Sequence, residues 1–258
     1  MEPGYTRGGN MRHTARDGLT IVCIVMIPGL AVFLTWLMAP ALCATCGELA
    51  PVVEVVLFLL LAGFVGLAYL AVLNAVLPLK HGKYSMDDIQ CFLWKHHTVI
   101  RDMCQRFLKP FFPLVLTGVY YRLLGLKMGR DAVVAVYAII VDPLLTTMGD
   151  HSVIGENACV TAHAIVNEKI IIEPVVIGDG ATIGIGAVVM PGARIGECAI
   201  VAPGAVVSPG TKIPSYEMWG GMPARKIKSI AGVPATERQE EFPEPATDVV
   251  LSAAGYDG

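Results

Sequence analysis

An aliphatic residue recurs at every sixth position from Ile177 to Ile213: Ile177, Ile183, Val189, Ile195, Val201, Val207 and Ile213. Four residues after each of the first six stands a small side chain: Ala181, Ala187, Ala193, Ala199, Ala205 and Thr211. Three residues after each stands Gly180, Gly186, Gly192, Cys198, Gly204 or Gly210. A period of six fits neither the 3.6 of a helix nor the 2 of a strand. It marks a parallel β-helix of hexapeptide repeats, with three hexapeptides in each triangular coil of about eighteen residues. The aliphatic residue points into the prism and stacks on its equivalent one coil away. The small residue also points inward, where the triangle is narrow. Glycine at the corner takes positive φ at no steric cost. Each coil touches only its neighbours, so several must stack.

The register runs back through Met148, Ile154 and Val160, and before them through Met128, Val134 and Ile140. A two-residue slip over Asp142 to Thr147 separates these sets. A second break lies between Val166 and Ile171. About five coils are expected from Met128 to Ile213. A break in a strict repeat is where a loop leaves the prism, and such loops carry function.

The first third is different. The chain is 54% hydrophobic and 16% charged, too apolar for an ordinary soluble protein. No charge occurs from Leu19 to Cys46 or from Val55 to Leu79. Each run exceeds the ~20 residues that span ~30 Å of hydrocarbon as a helix. Two transmembrane helices are expected. Pro28-Gly29 is expected to kink the first, and Asn74 in the second to make a helix–helix contact. Arg7, Arg12 and Arg16 precede the first run, Lys80 and Lys83 follow the second, and the connection holds only Glu48 and Glu54. The positive-inside rule then places both termini and the β-helix on the cytoplasmic side of an inner or plasma membrane. A cleaved signal peptide at Ala39-Pro40-Ala41 is the lesser alternative.

The fold expected is membrane α plus all-β. Residues 1–18 form a cytoplasmic segment, 19–80 a two-helix transmembrane hairpin, and 81–126 an amphipathic interfacial segment. Residues 127–230 form the β-helix, and 231–258 a disordered acidic tail. In the interfacial segment Ser85 is a candidate helix cap, ahead of Asp87 and Asp88. Adjacent residues on a helix face different ways, so His96 and His97 read as surface or interface residues rather than a metal pair. Cys43 and Cys46 form a CxxC at the outer turn and read as small apolar residues. No basic stripe points to nucleic acid. No metal is expected.

Two histidines fall in the repeats, both at the glycine position. His151 reads as a turn substitute, since histidine tolerates positive φ. His163 stands just before the break, in Thr161-Ala-His-Ala-Ile-Val-Asn-Glu-Lys169, and reads as a general base.

Val176-Ile-Gly-Asp-Gly-Ala-Thr-Ile183 and Trp219-Gly-Gly-Met-Pro-Ala-Arg-Lys-Ile227 resemble the end of a hexapeptide-repeat, left-handed β-helix acyltransferase. The order of membrane helices, Gly82-Lys-Tyr84, amphipathic segment, Tyr121-Arg-Leu-Leu-Gly-Leu-Lys-Met-Gly129 and β-helix is similar to something narrower. It resembles the membrane-embedded module at the C-terminal end of ε-poly-lysine-synthetase-type nonribosomal peptide synthetases, over roughly residues 60–227. Lacking adenylation and carrier domains, the chain is expected as a stand-alone relative.

The acyltransferase resemblance implies a homotrimer, with acetyl-CoA or another acyl-CoA in a groove between prisms. His163 matches the base that deprotonates an acceptor hydroxyl or amine, and Glu168 is a candidate to orient it. Gly184 and Ala202 match positions where backbone meets the pantetheine arm. Pro223, Arg225 and Lys226 match the segment near the adenine and phosphates, with Trp219 beside them. The acceptor is expected to be a small, lipid-linked or peptide-derived molecule. Two alternatives stand beside this reading. A γ-type carbonic anhydrase needs three zinc histidines where the repeats supply two. A non-catalytic membrane scaffold would keep the prism and lose the chemistry.

Overall fold

A computed structural model of the chain describes residues 16–112 and 116–230. The expected acidic tail, most of the N-terminal segment and Pro113 lie outside the described residues.

The apolar third forms helix α1 (Asp17–Cys46) and helix α2 (Ala50–Val76), joined by a 3-10 turn at Gly47–Leu49. The sequence suggests two separate spans. The structure has one helical stretch of 60 residues, Asp17–Val76, long and apolar enough to cross a membrane. It folds back at the 3-10 turn so that α1 packs along α2. Helix α1 runs through Pro28 and Pro40.

Helix α3 (Ile89–Leu108) lies against both. Asp88, not Ser85, caps it, its Oδ1 accepting the Gln90 N–H at 2.7 Å. Ser85 instead ends the short strand Gly82–Ser85. Two glycines let α3 come close. A Cβ at Gly63 would fall 2.3 Å from Leu108 Cγ, and one at Gly66 would fall 2.4 Å from Cys104 Sγ. His96 is buried in the interface between the helices. Its Nδ1 lies 2.7 Å from Thr20 Oγ1 of α1, and its Nε2 lies 2.7 Å from the Tyr69 hydroxyl of α2. One ring thus joins three helices. The short helix α4 (Thr117–Leu123) leads into the prism.

The repeat folds into three parallel sheets. Lys127–Met128, Thr146–Met148, Val175–Ile177, Arg194–Ile195 and Lys212–Ile213 form one face. Those five strands agree with the five coils expected. The next face runs from Val133–Val134 to Glu217–Gly220, and the third from Ile139–Ile140 to Val206–Val207. Ile154, Val160, Ile183, Val189 and Val201 fill the interior with no exposure. Each such side chain contributes about 1.5–3 kcal/mol by leaving water. Corner residues Gly180, Gly186, Gly204 and Gly210 have φ of 63°, 66°, 68° and 68°. Cys198 takes the same corner at 51° without the advantage of glycine.

The register locates the defects. Thr182 pairs with Ile200 and Ile200 with Met218, eighteen residues on each time. Thr182 pairs back to Val153, a step of twenty-nine, and Val153 pairs back to Val133, a step of twenty. The short step accommodates a 3-10 turn at Pro143–Leu145. The long one accommodates an antiparallel hairpin, His163–Val166 with Lys169–Ile172. Asn167 and Glu168 turn it at φ 49° and 58°. Gly82–Ser85 pairs with its outer strand, Gly82 opposite Ile172 and Ser85 opposite Lys169. A small second core of Ile170, Ile172 and Cys91 lies beneath. Gly82–Ser85 and the start of α3 are therefore built into the prism.

A candidate catalytic corner at two repeat defects

The two defects meet. Ile139–Ile140 stacks on Cys159–Val160, so the chain leaving each enters the same corner one coil apart. The first strand leads to Asp142 and the second to Thr161, Ala162 and His163. His163 Nδ1 lies 2.7 Å from Asp142 Oδ2. The Ala162 amide donates to the same oxygen at 2.9 Å. Trp94 Nε1 of α3 donates to Oδ1 at 3.2 Å. The indole also lies against the imidazole, ring centroids 4.3 Å apart and tilted by 49°. Thr161 Oγ1 donates to the His163 carbonyl oxygen at 3.0 Å.

Asp142 is buried, with 5% of its side chain exposed. Burial alone would raise its pKa. The hydrogen bond and charge of His163, the Ala162 amide and the nearby Arg101 charge outweigh it and hold the carboxyl below its ordinary value. An ionised carboxylate only accepts, so in the neutral ring the proton sits on Nδ1 and Nε2 carries the lone pair. That is the tautomer a general base needs, and the ring keeps 18% of its side chain exposed.

Two sequence expectations change here. His163 begins a strand and does not occupy a positive-φ corner. Glu168 stands at the far turn of the hairpin, three register pairs from His163, and Asp142 holds the ring instead. His151 does take the corner, at φ 55°, exposed and 3.8 Å from Asp131. Among the described residues no group of three His, Cys, Asp or Glu side chains could hold a metal. Asp142 was signalled by the two-residue slip in which it lies. Trp94 had no sequence signal.

The other predicted residues lie along a different corner. Gly184 and Ala202 follow the second face on successive coils. The Gly184 amide donates to Val201 O at 2.8 Å, and the Ala202 amide donates to Trp219 O at 2.8 Å. A Cβ on Gly184 would lie 2.5 Å from Pro203 N. Gly220 continues the line, its own Cβ position 3.0 Å from Ala202 Cβ. Gly184 and Ala202 thus form a strip with almost no side chains, while Gly220 is buried, its Cβ position 2.7 Å from Ile227 Cδ1. The strip ends at the hairpin Glu217–Gly220 with Arg225–Ser229, where Pro223 and Arg225 are exposed. Lys226 is ion-paired with Glu217, which also accepts from Trp219 Nε1 at 2.8 Å. Arg225 has no ion pair among the described residues, its guanidinium donating to the Ala224 carbonyl oxygen.

A cavity of about 280 Å³ lies between α2, α3, the end of α4 and the Asp142–Leu145 turn. Asn74, expected to bridge helices, lines it beside His97 and Arg101.

Residues 174–209 match the family model described as Bacterial transferase hexapeptide (six repeats). No curated protein matches the chain. Among solved structures, the chain is similar to a hexapeptide-repeat-containing acetyltransferase from Vibrio cholerae. The identity is 26%, over 42% of this chain and 64% of that one, with a TM-score of 0.39. A galactoside acetyltransferase in complex with coenzyme A matches at 25% identity, over 46% and 61%, with a TM-score of 0.38. The serine acetyltransferase of Brucella abortus matches at 14%, over 66% and 57%, with a TM-score of 0.38. The chain spans about three fifths of the length of these proteins. The repeat match and the stacked coils, not these superpositions, carry the β-helix assignment. Nothing in these matches shows the peptide-synthetase likeness.

Proposed function

We propose that this chain is a membrane-anchored, acyl-CoA-dependent acyltransferase built on a left-handed hexapeptide β-helix. The observation that carries the reading is the Asp142–His163 pair at the corner where both repeat defects meet. The acceptor hydroxyl or amine attacks the thioester carbonyl while Nε2 takes its proton. The tetrahedral intermediate collapses, the C–S bond breaks, and the proton passes to the departing coenzyme A thiolate. Asp142 keeps the ring in register and stabilises the imidazolium. The neighbours that are named acetyltransferases, one with coenzyme A bound, support acetyl-CoA as donor.

The strip Gly184–Ala202 suits a pantetheine arm, which needs little side-chain bulk, and Arg225 suits the phosphates. Within one chain that strip and His163 follow different faces of the triangle. A threefold assembly brings the strip of one copy to the base of the next, so the proposed active unit is a homotrimer. Exposed Val133, Val153 and Ile185 supply apolar surface for such contacts.

Membrane anchoring rests on the outward faces of α1 and α2. Ile21, Val25, Met26 and Trp36 are 63%, 65%, 63% and 67% exposed, and Val52 and Val72 are each 63% exposed. A contiguous apolar surface of that kind is not left in water. The cations flanking the spans favour a cytoplasmic prism.

The test is binding of acetyl-CoA to detergent-purified protein by calorimetry, followed by release of free coenzyme A with membrane extract as the acceptor source. No binding would overturn the reading. It would favour a non-catalytic scaffold, for which the cover of Trp94 over His163 speaks.

A further inference from the structure

The cavity between α2, α3 and the prism contains polar atoms that nothing among the described residues satisfies. Its walls are mostly apolar, with Leu67 and Leu70 from α2, Leu123 at the end of α4 and Leu145 from the prism. His97 is 8% exposed, and its Nε2 is buried with no hydrogen-bond partner. Arg101 stands one turn further along α3, its Nε buried and likewise unpartnered. Arg101 makes no ion pair among the described residues. Asp142 also lines the space, but its oxygens are taken by His163, Ala162 and Trp94.

Burial pushes the His97 pKa down to about 4, with the charges of His96 and Arg101 adding to the effect, so His97 is neutral near pH 7. The guanidinium keeps its charge under all ordinary conditions. The Asp142 charge offsets part of the cost of burying the guanidinium, but its Nε remains an orphaned donor, at about 1–3 kcal/mol. That cost disappears when an anion enters.

We propose that this cavity is a binding site for one anionic membrane lipid, its phosphate or carboxylate on Arg101 and His97 and the start of its chain along Leu67 and Leu70. The volume, near the lower end of ligand pockets, suits a head group and the first part of a chain, with the rest lying along α2 in the bilayer. Asn74, the lone polar residue late in α2, lines the same space and offers an amide to the head group. The site adjoins the catalytic corner without opening onto it. Asp142 and Trp94 form the shared wall, and His163 is not among the lining residues. Lipid occupancy therefore braces the base-holding carboxylate rather than presenting an acceptor to it.

This inference rests on the membrane reading of α1 and α2 and not on acyl transfer. A chain that stays soluble without detergent defeats that reading, whatever the lipid result. The experiment is native mass spectrometry of the full chain from a neutral detergent supplemented in turn with phosphatidylglycerol, oleate and phosphatidylcholine. The expected result is one anionic lipid retained per chain, with phosphatidylglycerol and oleate distinguishing phosphate from carboxylate. Arg101→Gln should weaken retention roughly ten- to a hundredfold, the loss of one charge-assisted contact. Arg106→Gln, which removes the same charge from an exposed position, should leave it unchanged. If Arg101→Gln does not fold, Leu70→Trp, which fills the apolar part, should abolish retention. Equal retention of phosphatidylcholine, or retention undiminished in the folded variants, would overturn the proposal.

Discussion

Asp142 reaches His163 across one coil of the prism, Oδ2 to Nδ1 at 2.7 Å, and Trp94 of α3 is in contact with both. A carboxylate, a base and an indole from the helical region thus form one hydrogen-bonded and stacked group. Its parts can be tested separately.

Removing the base should reduce acyl transfer by about 10²–10⁴-fold, the usual contribution of a positioned general base. His163→Ala is the variant, and release of coenzyme A from acetyl-CoA is the measurement. Asp142→Asn should cost a similar factor by favouring the wrong tautomer. Glu168→Gln should stay within about threefold of wild type, because Glu168 lies at the far turn of the hairpin. A large loss in Glu168→Gln with a mild effect in Asp142→Asn would reverse the assignment.

Asp142 also predicts an acid-sensitive stability. Its folded pKa lies below the ordinary value of about 3.9. Its ionised form therefore favours the folded state, fully above that value. The contribution is lost as pH falls through the depressed folded value. The difference in melting temperature between wild type and Asp142→Asn should narrow as pH falls from 4.5 to 3. A difference equally wide at pH 3 would place the stabilisation elsewhere.

Trp94→Phe keeps a ring over His163 and removes the donor to Asp142. The expected cost is about 1.5–3 kcal/mol of stability, that of one hydrogen bond to a buried charged acceptor. Coenzyme A release should fall, with the affinity for acetyl-CoA unchanged. Chemical denaturation and binding on the same preparation separate the two effects.

Two glycines two residues apart should both lose stability on substitution, but by different amounts. Gly184→Ala drives a Cβ into the backbone of the next coil, at 2.5 Å from Pro203 N and 2.7 Å from Val201 O. Backbone cannot yield as a side chain does, so about 3 kcal/mol or more should be lost. Gly186→Ala meets nothing within 4 Å and is strained only by its φ of +66°, for about 1–2 kcal/mol. Thermal melting of both variants orders them.

What could be read in the chain follows from how each feature is encoded. The prism is written residue by residue, because each aliphatic position faces inward by a local rule and stacks on its own kind. Both defects were visible for the same reason. Their meeting was not, since Asp142 and His163 are neighbours only after one full coil has closed. Glu168 shows the converse: five residues from His163 in sequence, it lies at the far end of a hairpin. Trp94 and Arg101 depend on how α3 docks, which an amphipathic pattern of buried Phe92, Ile100 and Cys104 leaves open in rotation and depth.

The strand Gly82–Ser85 has a practical consequence for anyone dividing this chain. A fragment starting where the repeat starts, near Lys127, would strip the outer edge of Lys169–Ile172 and uncover Ile170 and Ile172, neither of which is exposed at all in the intact fold. A bare hydrophobic edge of that kind pairs with other chains and precipitates. It would also lose Trp94 from the imidazole. The smallest piece worth expressing begins upstream of Gly82, and the unit that folds is longer than the unit that repeats.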